Sequence, residues 1–183
     1  MSNLLETILD ANGGAVVGQL AREFGLGDAK ARDALGQLAP AVARGIQNNA
    51  ASSNGLDTLM QALRAGNHQR YLERPEEITG SSGIQDGNAI LGHIFGSKDV
   101  SRNVAGRASQ ATGIDASLLR KMLPAVAAAA MGALASQKPA GGSGAQPAGA
   151  SGSAAGDLLS QFLDADRDGS VVDDVLRLAT KFF

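Results

Sequence analysis

The sequence predicts an all-α protein: a multi-helix body, a flexible linker and a short acidic helix-loop-helix tail. Three observations carry this. Alanine and leucine dominate the apolar residues, while the chain has no tryptophan and one tyrosine, so it lacks the β-branched and aromatic runs that strands favour. Apolar residues recur at helical spacing through most of the first 136 positions. Residues 137–156, QKPAGGSGAQPAGASGSAAG, then show no apolar periodicity at all, the composition of a flexible tether. Such a tether spans about 25 Å on average. The expected organisation is a helical body over 1–136, a linker over 137–156 and a tail over 157–183.

The elements follow in order. Ser2 is placed to cap a first helix with Leu4, Leu5, Ile8 and Leu9 on one face. Gly13-Gly14 breaks it. A second helix carries Val16, Val17, Leu20 and Phe24 and stops at Gly25-Leu26-Gly27. Asp28 is the expected cap of a long helix with Ala31, Leu35, Leu38 and Val42 on its inner face. Pro40 lies inside that pattern, which predicts a kink or break near Ala39. Another helix is expected over Leu56 to Ala65. Residues 66–83 read as polar and irregular, with one turn starting at Pro75. The apolar run from Pro124 to Ala135 is about a dozen residues long, short of the roughly 20 a spanning helix needs, and reads as a buried helix with no membrane span.

The second half of the body resembles the first. Gly25-Leu26-Gly27-Asp28 followed by Leu38-Ala39-Pro40-Ala41-Val42 parallels Gly113-Ile114-Asp115 followed by Met122-Leu123-Pro124-Ala125-Val126. The Gly-to-Pro distances are 15 and 11 residues, a difference of about one helical turn. This pattern suggests an internal duplication of a helix-turn-helix-like unit, over about 13–50 and 101–136.

At Gly87-Asn88-Ala89-Ile90-Leu91-Gly92-His93-Ile94-Phe95-Gly96-Ser97-Lys98 the chain resembles the bacterial domain-of-unknown-function family numbered nine hundred and thirty-seven, related to the YidB-like proteins. Thr112-Gly113-Ile114 and Met122-Leu123-Pro124-Ala125-Val126 fit the same pattern. The resemblance implies an all-helical fold with a homeodomain-like character and lends no activity. The residues themselves predict a helix with Ile90, Leu91, Ile94 and Phe95 in the core. Gly92 and Gly96 allow close helix approach or termination. His93 reads as a surface or capping residue, since the one other histidine, His68, falls in the polar stretch.

The sharpest chemical feature is in the tail. Asp164, Asp166 and Asp168 alternate and are followed by Gly169. They match positions 1, 3 and 5 and the turn glycine of an EF-hand calcium loop. Ser170 would offer its backbone carbonyl at position 7. Three carboxylates this close repel one another until a hard cation neutralises them. Leu158, Leu159, Phe162 and Leu163 precede the loop and Val172, Val175, Leu176 and Ala179 follow it, as helix-loop-helix requires. The closing glutamate is missing, because Val175 stands at position 12. Asp173 or Asp174 could close a shortened loop. Ser170-Val171-Val172-Asp173 also reads as a capping box, which favours Asp174 as last ligand. Calcium of modest affinity is the expected cofactor; plain helix capping is the alternative.

Charge and motifs bound the remaining functions. Residues 1–138 hold 13 Lys/Arg and 12 Asp/Glu, a net +1, and residues 139–183 hold 3 and 6, a net −3. Neither part has the concentrated positive field of a strong nucleic-acid binder. Gln19 to Leu26 with the helix from Asp28 still looks like a helix-turn-helix, with Lys30, Arg32 and Gln37 on its second helix. Arg120 and Lys121, with Arg102 and Arg107 upstream, are the counterparts in the second repeat. Ordinary helix-hairpin packing explains the same pattern. No enzyme signature is present: there is no Gly-x-Ser-x-Gly elbow, phosphate loop or His-Glu-x-x-His. The absence of cysteine removes disulfides, thiolate metal sites and cysteine nucleophiles. The N-terminus lacks the basic region of a secretory signal, so a cytoplasmic location is expected. The functional expectation is a non-enzymatic interaction or scaffold protein, acting through a protein partner or self-association and carrying a calcium-binding tail. A DNA-binding protein is the alternative.

Overall fold

The computed structural model describes residues 4–52 and 54–136, and among them every regular element is a helix. The expected all-α fold is therefore observed. The chain divides into two units, Met1–Ala145 and Gln146–Phe183. The described residues belong to the first. The linker and tail assigned to 137–183, and the Ser2 cap, lie outside the described residues.

The helices are α1 (Leu4–Asp10), α2 (Ala15–Glu23), α3 (Asp28–Ala50), α4 (Gly55–Ala65), α5 (Arg70–Glu73), α6 (Glu76–Thr79), α7 (Ser81–Phe95), α8 (Lys98–Thr112) and α9 (Ala116–Ser136). Between α1 and α2 the chain reverses through Ala11–Gly14. Asn12, Gly13 and Gly14 all have positive φ, at 49°, 66° and 84°. Glycine takes this conformation without Cβ strain, and asparagine is among the few other residues that tolerate it. The break expected at Gly13-Gly14 thus begins one residue earlier. It lets both α1 and α2 pack on α3.

The long helix α3 runs unbroken through Pro40, so the break expected there is absent. Pro40 is exposed, so water can satisfy the carbonyl that loses its amide partner. Asp28 does not cap α3. The N-cap is Gly27, with extended backbone, and Asp28 is the first helical residue. There its carboxylate meets the positive end of the helix dipole.

Helix α9 is the axis of the body. It contacts α1, α2, α3, α4, α5, α6, α7 and α8. Leu119 and every residue from Met122 to Leu134 are buried. A helix apolar on all sides must be enclosed, and its alanines let the surrounding helix axes come close. The buried helix expected at Pro124–Ala135 is present, but it begins eight residues earlier, at Ala116. At 21 residues and a mean hydropathy of 1.4 it is, by length and composition, long and apolar enough to cross a membrane; 78% of that window is buried within the body. The enclosed core helix of a globular domain meets the same criterion.

Asp115 starts α9 as the pattern predicted. Its carbonyl accepts from Leu119 N–H at 3.0 Å. Its Oδ1 accepts from the Ser117 and Leu118 amides at 2.9 and 3.3 Å, and from the Ser117 hydroxyl. These bonds, the Ser117 hydroxyl first, hold the Asp115 carboxyl below its usual range. A carboxylate whose folded pKa is depressed stabilises the fold above its unfolded pKa, and that stabilisation is lost as pH falls through the folded value. Asp115→Ala is therefore expected to lower the thermal midpoint at neutral pH, and the gap from the unmodified chain should close in acid. Thermal melts across pH 2–7 check this; a gap that persists at the acid end would contradict the assignment.

The stretch 66–83, expected to be irregular, forms α5, α6 and the start of α7. Pro75 does begin a turn, as the N-cap of α6. Its polar residues are used in tertiary bonds. Gln19 of α2 donates to Thr79 Oγ1 at 2.8 Å. His68, in the loop before α5, is buried rather than solvated.

The core face of α7 also differs from expectation. Of Ile90, Leu91, Ile94 and Phe95, Leu91 alone is buried; the other three are half-buried. The buried stripe is Gly83, Gly87 and Leu91, at i, i+4 spacing. A Cβ on Gly87 would overlap the Pro124 carbonyl of α9, and one on Gly83 would overlap the Glu77 carbonyl. Close approach is thus made at Gly83 and Gly87. Gly92 has open space beside it. Gly96 does end the helix, with φ of 66° and its amide bonded to Gly92 O at 3.1 Å.

The two proposed repeat units share a layout. In each, a helix ends at a glycine of positive φ (Gly25 at 64°, Gly113 at 70°) and is followed by a long helix with an internal proline, Pro40 or Pro124. Their surroundings differ: α3 has an exposed face, while α9 is enclosed from Met122 to Leu134.

Candidate functional site

The sequence-predicted metal ligands Asp164, Asp166, Asp168, Ser170 and Asp174, with the alternative Asp173, lie outside the described residues. Among the described residues no group of three or more His, Cys, Asp or Glu is gathered as a metal ion would require.

The residues predicted for a DNA-reading helix are all on the surface. Lys30, Arg32 and Gln37 are exposed on α3, and Arg120 and Lys121 are exposed in the second turn of α9. Arg102 is engaged by Asp99 at 2.6 Å. Helix α9 offers no further exposed face after Lys121, so the second unit presents fewer than two helical turns where the first presents a whole helix.

A polar cluster that the sequence did not single out joins α5, α6 and α7. Tyr71, fully buried, donates its hydroxyl to Asp86. Its oxygen accepts from Arg70 Nη2 at 2.9 Å. Arg70 Nη2 also lies 3.3 Å from Asp86 Oδ2, and the guanidinium sits 4.9 Å from the Tyr71 ring centroid, a cation–π distance. Glu77 takes Arg70 Nε at 3.5 Å and pairs with Arg74. At that distance Nε is neutralised but makes no good hydrogen bond. Burial first, and then donation to Asp86, push the Tyr71 phenol above its usual pKa. Both hydrogen-bonding roles of the hydroxyl are filled, so the cluster acts as a strut. The one available signal was the lone tyrosine in a polar stretch, and spacing could not reveal its partner 15 residues away.

The histidines separate as follows. His93 is exposed, and its carbonyl accepts from Asn49 Nδ2 at 3.0 Å, tying α3 to α7. His68 Nε2 faces Ala62 O at 3.2 Å, which assigns the proton to Nε2. Its buried Nδ1 has no protein partner. A cavity of about 250 Å³ adjoins it, lined also by Leu63, Gly66, Asn67, Gln69, Leu134 and Ala135.

A groove of about 520 Å³ lies between α3, α7 and α8. Helix α3 contributes Gln37, Pro40, Ala41, Arg44, Gly45 and Asn48; α7 contributes Ile94 and Phe95; α8 contributes Val100, Val104, Arg107 and Ala108. The floor is tightly built, since a Cβ on Gly45 would lie 2.8 Å from the Phe95 ring. Val100 is 39% exposed, the one large apolar side chain left so open among the described residues. Arg44 and Arg107 flank the floor, both exposed, and no carboxylate lines it. The predicted core residues Ile94 and Phe95 are therefore half-buried because they form this floor. The arrangement can bind an apolar surface and pair with negative charge. It brings together no nucleophile, acid or base.

The profile of a bacterial family of proteins of unknown function, DUF937, matches residues 6–137, well over half of the chain. No curated protein and no solved structure matches it. The matched span takes in nearly all of α1 and runs through α9, so the helices that build the groove and the central axis lie within it. The chain belongs to this bacterial family of unknown function, as the motif around Gly87 to Lys98 suggested.

Proposed function

We propose that this chain is a non-enzymatic helical interaction module with a calcium-binding C-terminal loop. The observation that carries the first half is the groove between α3, α7 and α8, where exposed Val100 and half-buried Ile94, Phe95 and Val104 share one concave surface flanked by two arginines. The shared layout of α2–α3 and α8–α9 supports an origin by duplication, with one long helix turned into the core and the other left to line the groove.

The second half rests on the tail sequence. Asp164, Asp166, Asp168, the Ser170 carbonyl and Asp174 supply oxygen ligands suited to calcium. Without the closing glutamate, affinity in the range of weak modules is expected, on the order of 10⁻⁴ M. Calorimetry on the full chain should give heat saturating near millimolar calcium, and Asp164→Ala should abolish it. An unmodified chain silent at millimolar calcium would remove the cofactor assignment. Light scattering with and without calcium then tests whether the ion controls assembly.

Exposure of Lys30, Arg32 and Gln37 on α3 favours DNA binding as the second reading. It predicts a complex with duplex DNA that weakens steeply with salt. A mobility-shift assay at low salt that yields no complex would eliminate it.

A further inference from the structure

The groove between α3, α7 and α8 has a chemistry that narrows its partner. On α8, Val100, Val104 and Arg107 recur at i, i+4 and i+7, so one helical stripe supplies two apolar groups and then a cation. Across the groove, Arg44 stands on α3, and Ile94 and Phe95 of α7 form the floor. The lining residues of α3 run from Gln37 to Asn48, about 17 Å at helical rise, or roughly three turns. Neither Arg44 nor Arg107 forms an ion pair among the described residues. Guanidinium groups exposed beside an apolar trough, with no carboxylate in its lining, are matched by carboxylates on the other side.

From this we infer that the groove docks a single amphipathic helix from another protein, with its apolar face on Ile94, Phe95, Val100 and Val104 and its carboxylate-bearing edges on Arg44 and Arg107. The inference rests on the interaction-module reading and names the partner's chemistry. Charge argues against the same groove of a second copy as occupant. A two-fold contact places the same patch on both sides, which would bring the arginines of both copies together with no carboxylate between them. An acidic helix avoids that repulsion. Gln37 and Asn48, exposed at opposite ends of the α3 lining, can meet the unpaired backbone groups at the docked helix's termini.

The test uses the full chain and a fluorescein-labelled synthetic peptide of about four helical turns. The peptide carries leucines at i, i+3, i+4 and i+7 and glutamates beside them. A second peptide has lysine for each glutamate. Fluorescence anisotropy should show the acidic peptide binding at least about tenfold more tightly than the basic one, and losing affinity as salt rises. Val100→Asp and the double variant Arg44→Glu, Arg107→Glu should each weaken the acidic peptide by about tenfold or more. All three positions are exposed, so circular dichroism should show an intact fold. Equal binding of the two peptides, or binding indifferent to Val100→Asp, overturns the inference. Concentration-dependent self-association abolished by Val100→Asp also overturns it and makes a second copy the occupant, while leaving the interaction-module reading in place. Displacement of the peptide by duplex DNA overturns both. No binding of either peptide overturns the inference alone; the wider reading falls only if light scattering also detects no assembly.

Discussion

Gly87→Ala is expected to lower the thermal midpoint of this protein by roughly 10 °C. The added Cβ would overlap the Pro124 carbonyl oxygen and crowd the Pro124 Cα and carbonyl carbon. All three are backbone atoms, so no side chain can swing away. Pro124 cannot retreat either, because α9 is buried on every side from Met122 to Leu134. Helices α7 and α9 must separate, and close-packed interiors do not absorb such a shift. Overpacking of this kind costs typically 1–3 kcal/mol, and more where backbone must move. At about 3 °C per kcal/mol for a body of this size, the upper part of that range gives the stated shift. Gly92→Ala, five residues along the same helix, is the control. Gly92 is exposed with nothing within 4 Å of its Cβ. There alanine should stabilise by about 0.5–1 kcal/mol through helix propensity. Opposite signs at the two positions, read by thermal melts of the full chain, would establish the α7–α9 crossing. A neutral Gly87→Ala would refute it.

Tyr71→Ala should cost about 3–5 kcal/mol, the range for deleting a large buried ring, since Tyr71 is fully buried. Tyr71→Phe keeps the ring and removes the hydroxyl. Arg70 and Asp86 already stand 3.3 Å apart and would keep their own pair, so the loss should be about 1 kcal/mol, the value of a typical net hydrogen bond. The phenol also makes stability depend on pH. Its folded pKa is raised, chiefly by burial and then by the bond to Asp86. The folded state therefore holds the proton more tightly than the unfolded state. The associated stabilisation is complete below the unfolded value near 10 and is lost as pH climbs from there through the folded value. The chain has one tyrosine and no tryptophan, so tyrosinate absorbance in the near ultraviolet reports Tyr71 alone. Its titration should fall above that of free tyrosine and shift back on urea unfolding. An ordinary titration in the folded chain would contradict the buried strut.

How much of this was legible in the sequence varied by element. α1, α2, α3 and α4 could be read from apolar spacing and glycine stops because each has one inner face; α4 begins at Gly55, one residue before the expected Leu56. The Asp115 start of α9 was legible too, because a cap bonds to the amides two and three residues ahead. The stretch 66–83 was not. Its helices α5 and α6 are four residues each, too short to show a period, and their stability comes from partners such as Asp86 and α9. The core face of α7 was misjudged for a related reason. Hydrophobicity points to Ile90, Ile94 and Phe95, but contact with α6 at Gly83 and with α9 at Gly87 selects the face with least bulk. The residues proposed for a calcium loop can be read by type and spacing and lie outside the described residues.

By itself the sequence determined the helical class, the family motif and most chain reversals, because these depend on local backbone preference and periodic burial. Tertiary structure alone decided which apolar residues are core and which are surface. Residues of similar hydrophobicity met different fates: Leu91 was covered by a neighbouring helix, while Ile94 and Phe95 were left as the floor of a groove. Burial is a property of the assembled helices, and the open apolar surface on which the proposed function rests exists only where their packing leaves a gap.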